Sequence, residues 1–493
     1  MNRARRAGAL LLTALVGCAQ SEVDTLVDQL NGPKRAEAID RLVSAVSDTP
    51  AAQRAEKRQR TIDALGIAYR DDRNRPKIVA ALALLGDPRA NPIFVAALGE
   101  AGRDGPYLAA ATRAANALNE AGARAALPAL LKQLDESIQM PKTARRLQFQ
   151  KALVAAIGRS GSETAEAPLR SIISKAATEQ SLPLVLVAID ALGRLHVPTA
   201  TPLLVPLLGE RPWGQQTAPA ARRALCSIGP SRTDLEQLQN SLSRPNALVQ
   251  LIALHADLGY PPPALSATAE LSWPLFEAQL RSPTSHSGAL ETLVRMLDRP
   301  NLGRDELRRA SSLLGLYGSP AQAPLLYRLL GAQKQLDRAT HALALAYSRL
   351  GKRRLSPELR RRLKQHYGNQ LSAFEQRLAA VSRCKGARAC NEMLLGKSDK
   401  LGAWRVAERA AISLGHSGIY APLAGALATA HRQVRRTIIT LLERAPLKVL
   451  PPLAPAIEHA LQSAGAGFDS DTATRAHCLL ERVRRTTGKR GQG

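Results

Sequence analysis

A glycine and proline punctuation that returns about every 36 residues constrains this 493-residue chain more than any other feature. Three copies show it: Ala152-Leu-Val-Ala-Ala-Ile-Gly-Arg-Ser-Gly161, Ala310-Ser-Ser-Leu-Leu-Gly-Leu-Tyr-Gly318 and Ala410-Ala-Ile-Ser-Leu-Gly-His-Ser-Gly418. Each reads as an Ala/Leu helix that stops at a hydrophobic-Gly-x-x-Gly turn. Proline then opens the next helix at Pro168, Pro324 and Pro422, and related turns precede Pro92, Pro128 and Pro202. The first turn position recurs at Ala83, Asn119, Gly158, Gly193 and Gly229, at intervals of 36, 39, 35 and 36, and Gly315 and Gly351 are again 36 apart. Such a period holds two helices of roughly 12–15 residues, each about 20 Å long, and two turns. Glycine is expected to end each helix in the left-handed conformation, as at Gly158 and Gly415, and proline suits a first turn whose N–H has no partner to lose. A helical pair of this size buries its apolar face only against its neighbours, which predicts an all-α solenoid, a superhelix of helical hairpins.

These residues resemble the HEAT family, in the variant whose signature reads Leu-Gly-x-x-Gly-Asp-Pro-x-Ala-x-Pro. Leu85-Gly86-Asp87-Pro88-Arg89-Ala90-Asn91-Pro92 is the closest copy, with Ala83 in place of the first glycine. The resemblance runs from about Val23 to His459. It implies that the helix ending at each glycine lines a concave side, so that Arg223, Arg309, Arg405 and Arg435 are candidates for a basic inner surface. The spacing becomes irregular after Gly229, with Gly259 only 30 residues on, and Pro261-Pro262-Pro263 cannot lie inside a helix. The expected organisation is repeats over 23–350, irregular around 260–306, then a basic and Cys-pair insertion or degenerate repeats over 351–400. Further repeats fill 401–486, and 487–493 is a basic tail.

The N-terminus reads as an export signal. Arg3, Arg5 and Arg6 form a basic region, Ala7–Leu15 a short apolar region, and Leu15-Val16-Gly17-Cys18 follows where cleavage belongs. Those four residues resemble the bacterial lipobox. That resemblance implies a signal peptide over 1–17, lipidation of Cys18, a short tether over 18–22 and, with Ala19 next, an outer-membrane anchor facing the periplasm. An ordinary signal peptide with an incidental cysteine is the alternative. Arg5-Arg6 lacks the flanking residues of a twin-arginine signal.

Cys384-Lys-Gly-Ala-Arg-Ala-Cys390, followed by Trp404-Arg405-Val406, resembles the Cys-pair hairpin that leads into a HEAT helix in exported bacterial proteins. The resemblance and an oxidising compartment imply a Cys384–Cys390 disulfide, a local staple of roughly 2 kcal/mol; two free thiols are the alternative. Cys226 and Cys478, 252 residues apart, are expected to be buried unpaired thiols in an elongated body.

Catalytic chemistry finds no carrier in the sequence. The nine histidines include no pair at metal-binding helical spacing. Gly396-Lys397-Ser398 ends like a phosphate loop, but Asn391 stands where its first glycine is required. Gly415-His416-Ser417-Gly418 is a repeat turn, not the Gly-x-Ser-x-Gly elbow, and Asp471 reads as a helix cap. The chain is therefore expected to be non-enzymatic, without cofactor or metal.

Charge supplies the remaining signal. Lys and Arg number 68 against 41 Asp and Glu, a net charge of +27, which attracts polyanions. Arg353, Arg354, Arg360, Arg361, Arg362 and Lys364, with Lys352, concentrate part of it, although such runs are most often solvated helix faces. Three function classes follow. The first is a lipid-anchored envelope scaffold that binds another envelope protein. The second is a module for lipopolysaccharide or acidic glycan, whose binding would be strongly salt-dependent. The third is a nucleic-acid binder resembling the HEAT-like DNA glycosylases, which requires the lipobox to be accidental.

Overall fold

The computed structural model describes residues 23–350 and 403–487 except at short breaks (24, 31, 49–50, 72–73, 104, 140–142, 176–181, 210–212, 264–271, 283–284, 301, 334–336, 417 and 464–469). Between those blocks it describes only Pro357, Arg361, Cys390, Asn391 and Leu394. Every regular element among the described residues is helical. The chain divides into two compact units, Met1–Ala200 and Thr201–Gly493, a boundary that falls inside the 23–350 array.

The first unit contains α1 (Arg35–Ser47), α2 (Ala51–Ala68), α3 (Arg75–Leu85), α4 (Asn91–Leu98), α5 (Pro106–Ala117), α6 (Glu120–Ala125), α7 (Leu127–Gln139), α8 (Ala144–Arg159), α9 (Glu166–Lys175) and α10 (Leu182–Leu195). Helices α1, α3, α5, α8 and α10 pack side by side in one row, and α2, α4, α7 and α9 cover it, the two-layer HEAT-like hairpin stack that the 36-residue period predicts. Its core is aliphatic: Ile39, Leu82, Leu98, Leu153 and Ile189 are fully or almost fully buried.

The turn chemistry follows from the residues. Gly86 ends α3 in the left-handed conformation at φ 59°. Asp87 then accepts the Arg89 backbone N–H at 3.0 Å, and Pro92 lies in the first turn of α4. In the fuller copies the glycine roles differ from the expectation. Gly158 is helical, and a Cβ on it would lie 2.6 Å from the Cβ of Ala191. The left-handed position falls to the second glycine, Gly161 at φ 64°, as it does to Gly418 rather than Gly415 in the later copy, whereas Gly318, in the copy between them, is extended. The first glycine instead lets the inner helices α8 and α10 approach closely.

Arginines from one repeat close the helix ends of another. Arg124 donates to the Ser160 carbonyl at 3.0 Å, Arg159 to that of Leu118 at 3.1 Å, and Arg58 to that of Leu85. The last carbonyls of a helix lack partners within it and carry the negative end of its dipole, so a guanidinium is stabilising there. Part of the basic excess thus holds repeats together rather than coating a solvated face.

The second unit contains α11 (Thr201–Leu204), α12 (Gly214–Ile228), α13 (Arg232–Gln239), α14 (Pro245–Leu258), α15 (Ser272–Arg281), α16 (His286–Leu297), α17 (Arg304–Tyr317), α18 (Ala323–Ala332), α19 (Arg338–Leu350), α20 (Ala403–His416), α21 (Ala421–Ala426), α22 (Arg432–Glu443), α23 (Ala454–Ser463) and α24 (Ser470–Thr486). As the proline run requires, α14 stops at Leu258, with Gly259 left-handed at φ 81° before Pro261. Helices α17 and α19, then α20 and α22, pair as repeats do, but α24 packs against α22 and also against α12 and α14. The row closes on itself.

Cys226 and Cys478 form a disulfide across that closure, with Cα atoms 5.1 Å apart. This overturns the expectation of two unpaired thiols. It also overturns an elongated body for residues 201–493, because repeats that rotate enough bring their ends together.

Candidate docking groove and closed inner face

Most of the sequence-derived site residues lie outside the described residues. Cys18 and Cys384 lie outside the described residues; Cys390 is buried and disulfide-bonded. Arg353, Arg354, Arg360, Arg362, Lys364 and the side chain of Arg405 also lie outside them. Arg361 is exposed, Arg223 on α12 is half-buried, and Arg309 on α17 is exposed with its guanidinium 5.9 Å from the ring centre of Trp273. Arg435 requires a correction as a surface residue. It is buried, and it donates to the Ala428 carbonyl at 2.9 Å, closing a turn instead of facing a partner.

In the second unit the inner face is filled by ion pairs. Arg222 donates to Asp257 at 3.1 Å, and its Nη1 reaches Asp471 at 3.2 Å. Arg281 joins Asp257 to Glu443, the latter at 3.0 Å. Arg475 grips both Glu443 oxygens at 2.9 and 2.6 Å, and Arg482 donates to the Glu443 carbonyl at 2.9 Å. Burial pushes the Glu443 carboxyl up, but the guanidiniums of Arg281 and Arg475 outweigh it and hold the group down at about 2. Burial likewise raises the Tyr317 phenol, whose hydroxyl donates to Glu277 at 2.9 Å. Such a network cross-links α12, α14, α15, α22 and α24. Sequence reading missed it because its members, 222, 257, 281, 443, 475 and 482, belong to no common motif.

One triad in this region has ligand-type atoms within 4.8 Å of one another: Cys226, Asp257 and Cys478. The sulfurs are bonded to each other and the Asp257 oxygens are taken by Arg222 and Arg281. With those partners the triad does not fit a metal ion.

The first unit presents an open groove of about 460 Å³ between α7, α8, α9 and α10. Amphipathic α7 buries Leu130 and Leu134 and carries the stripe one turn further to Ile138, which is 47% exposed. Leu147 of α8, Ile172 of α9 and Leu184 of α10 complete an aliphatic floor, with Asp135 and Lys175 exposed at the rim. The lining of the groove comes from the C-terminal half of α7, the N-terminal half of α8, α9 from Pro168 to Lys175 and the start of α10. The resemblance pointed instead to Arg223, Arg309, Arg405 and Arg435, none of which lines this groove. The stripe Leu127, Leu130, Leu134, Ile138 is the signal in sequence, but only packing shows that its last member is left uncovered.

No described helix is long and apolar enough to cross a membrane. No protein-family profile matches the chain, and no curated protein matches it. Among solved structures, the chain is similar to the karyopherin Kap121p bound to the SUMO protease Ulp1p, at 11% identity and a TM-score of 0.39, covering 97% of this chain and 64% of that one. Kap121p bound to Nup53p gives 11% identity and the same TM-score, covering 96% and 64%. An engineered protein gives 14% identity and a TM-score of 0.19, covering 94% and 99%. The chain thus spans less than two thirds of the length of Kap121p, and likeness at these scores carries nothing about partners.

Proposed function

We propose that this chain is a non-enzymatic helical-repeat scaffold that binds another protein of the cell envelope and is held at the membrane by a lipid on Cys18. The observation that carries the binding half is the uncovered aliphatic groove of the first unit. A floor of Ile138, Leu147, Ile172 and Leu184 suits a short segment bearing one or two apolar anchors. Arg146 and Lys175 against Asp135 give the lining a net positive charge, which favours an acidic residue beside those anchors. The anchoring half rests on Leu15-Val16-Gly17-Cys18 and the basic region before it.

The polyanion reading is weakened by where the arginines go. Arg58, Arg124, Arg159, Arg435 and Arg482 donate to backbone carbonyls, and Arg222, Arg281 and Arg475 are paired in the interior. A photoreactive residue at position 138, introduced in intact cell envelopes, tests the scaffold reading. One defined protein adduct is expected, abolished by Leu147→Glu and absent when the same probe is placed at exposed Ile67. Equal labelling from both positions, or none from 138, would refute the reading.

A further inference from the structure

A second cavity, of about 200 Å³, lies within the second unit and is lined by Arg281, Ser282, His286, Ser287, Tyr420 and Arg444, among others. It shares only Arg281 with the ion-pair network. Arg444 donates from Nη2 to Nε2 of His286 at 3.1 Å. Its buried Nη1 has no hydrogen-bond partner among the described residues. Nδ1 of His286 lies 2.6 Å from the Leu280 carbonyl oxygen, a contact that only an Nδ1–H satisfies. The imidazole is therefore the neutral tautomer with Nε2 as acceptor, and the Arg444 charge stays uncompensated.

Burial pushes the Arg444 guanidinium down, and no carboxylate pairs with it among the described residues. Arg281 is only 7% exposed, and although its Nη2 serves Asp257 and Glu443, its Nε has no partner among the described residues. The first turn of α16, a 12-residue helix, opens at the same cavity. Its N-cap, Ser285, makes no side-chain cap, because the hydroxyl bonds to the Gln279 carbonyl. The Ser282 carbonyl takes the N–H groups of Ser285 and His286, at 3.3 and 3.0 Å, and the Ser285 side chain caps none of the rest of the first turn.

A sequestered guanidinium without a carboxylate is costly unless another anion joins it. Two guanidinium edges and a helix N-terminus around one small cavity describe such a place, and 200 Å³ suits one compact group rather than a drug-sized ligand. We propose that this cavity binds a tetrahedral oxyanion, phosphate or sulfate, either free or as the terminal group of a larger ligand. Arg444 Nη1 and Arg281 Nε would donate to its oxygens, with Ser287 at the mouth.

The full chain, with its disulfides intact, is titrated at constant ionic strength with inorganic phosphate, sulfate, acetate or glycerol 3-phosphate in place of chloride. Thermal unfolding and calorimetry are read together. Phosphate and sulfate are expected to raise the unfolding midpoint by about 3 °C at saturation, and acetate to leave it unchanged. Glycerol 3-phosphate binding at least as tightly as phosphate identifies a terminal group, and its exclusion identifies a free ion; the site stands in either case. Arg444→Met is expected to remove the phosphate shift while its midpoint in chloride is no lower than that of the parent, since it deletes a cation that lacks a counter-ion. Ser287→Asp is exposed, suits a first helical turn and puts a carboxylate at the mouth, so it too should abolish the shift in a folded protein. No shift in the parent, an equal shift with acetate, or a shift retained by either folded variant overturns the proposal.

Discussion

Cys226 and Cys478 are 252 residues apart in the chain and 5.1 Å apart at their Cα atoms, and the bond between them ties α12 to α24. Around it the same two helices exchange other contacts. Arg485 donates to the Cys226 carbonyl, and Ser227 meets the His477 ring at 2.8 Å. The disulfide therefore locks a closure that packing has already made.

Non-reducing peptide mapping should recover Cys226 joined to Cys478. In the chain-entropy description a cross-link over so long a loop stabilises by up to about 5 kcal/mol. Cys226→Ser should accordingly lower the unfolding midpoint of the second unit and speed hydrogen exchange first in α24. Unchanged exchange in α24 would mean that packing alone holds the closure.

The ion pairs around Glu443 predict acid sensitivity. The folded carboxyl is held at about 2 against an ordinary value of 4.5. A depressed carboxyl contributes stability that is fully present above its unfolded pKa and is lost as pH falls through the folded one, so the loss should develop between about pH 5 and pH 2. Glu443→Gln leaves Arg281 and Arg475 without their shared carboxylate and should cost about 3–5 kcal/mol at neutral pH. Its unfolding curve should show a shallower dependence on pH in that window than the parent's.

The contact between Gly158 and Ala191 predicts a different loss. Valine at 158 would drive its Cβ to within 2.6 Å of Ala191, so α8 and α10 must separate, at a cost of about 1–3 kcal/mol. In a stack stabilised by nearest neighbours the damage stays local. Hydrogen exchange of Gly158→Val should quicken in α8 and α10 while α17, α19 and α22 keep their protection. Uniform acceleration across the chain would contradict repeat-wise stability.

Two variants separate binding from stability. Ile138→Asp replaces an exposed side chain and should change stability by less than about 0.5 kcal/mol, yet it should remove capture at the groove. Cys18→Ser should abolish fatty-acid labelling and move the protein from the membrane to the soluble fraction or stall it unprocessed. Unchanged membrane association, with no label on the parent chain, would remove the anchor from the proposed function.

The sequence by itself determined the helical hairpin, its period and its punctuation. Those depend on local chemistry: Gly86 relieves Cβ crowding at a helix end, Pro92 needs no N–H partner in a first turn, and aliphatic stripes recur at helical spacing. What only the tertiary structure decided is how the hairpins are arranged over long range. Small rotations between repeats accumulate, and no local pattern records their sum, so the meeting of Cys226 with Cys478 was invisible along the chain. The division of labour among the glycines was equally hidden, because Gly158 answers to Ala191 in the next inner helix rather than to its own turn. The arginines make the same point. Composition gives their charge, but whether Arg124 closes a helix, Arg475 holds Glu443 or Arg444 awaits an anion depends on which distant groups packing brings within reach.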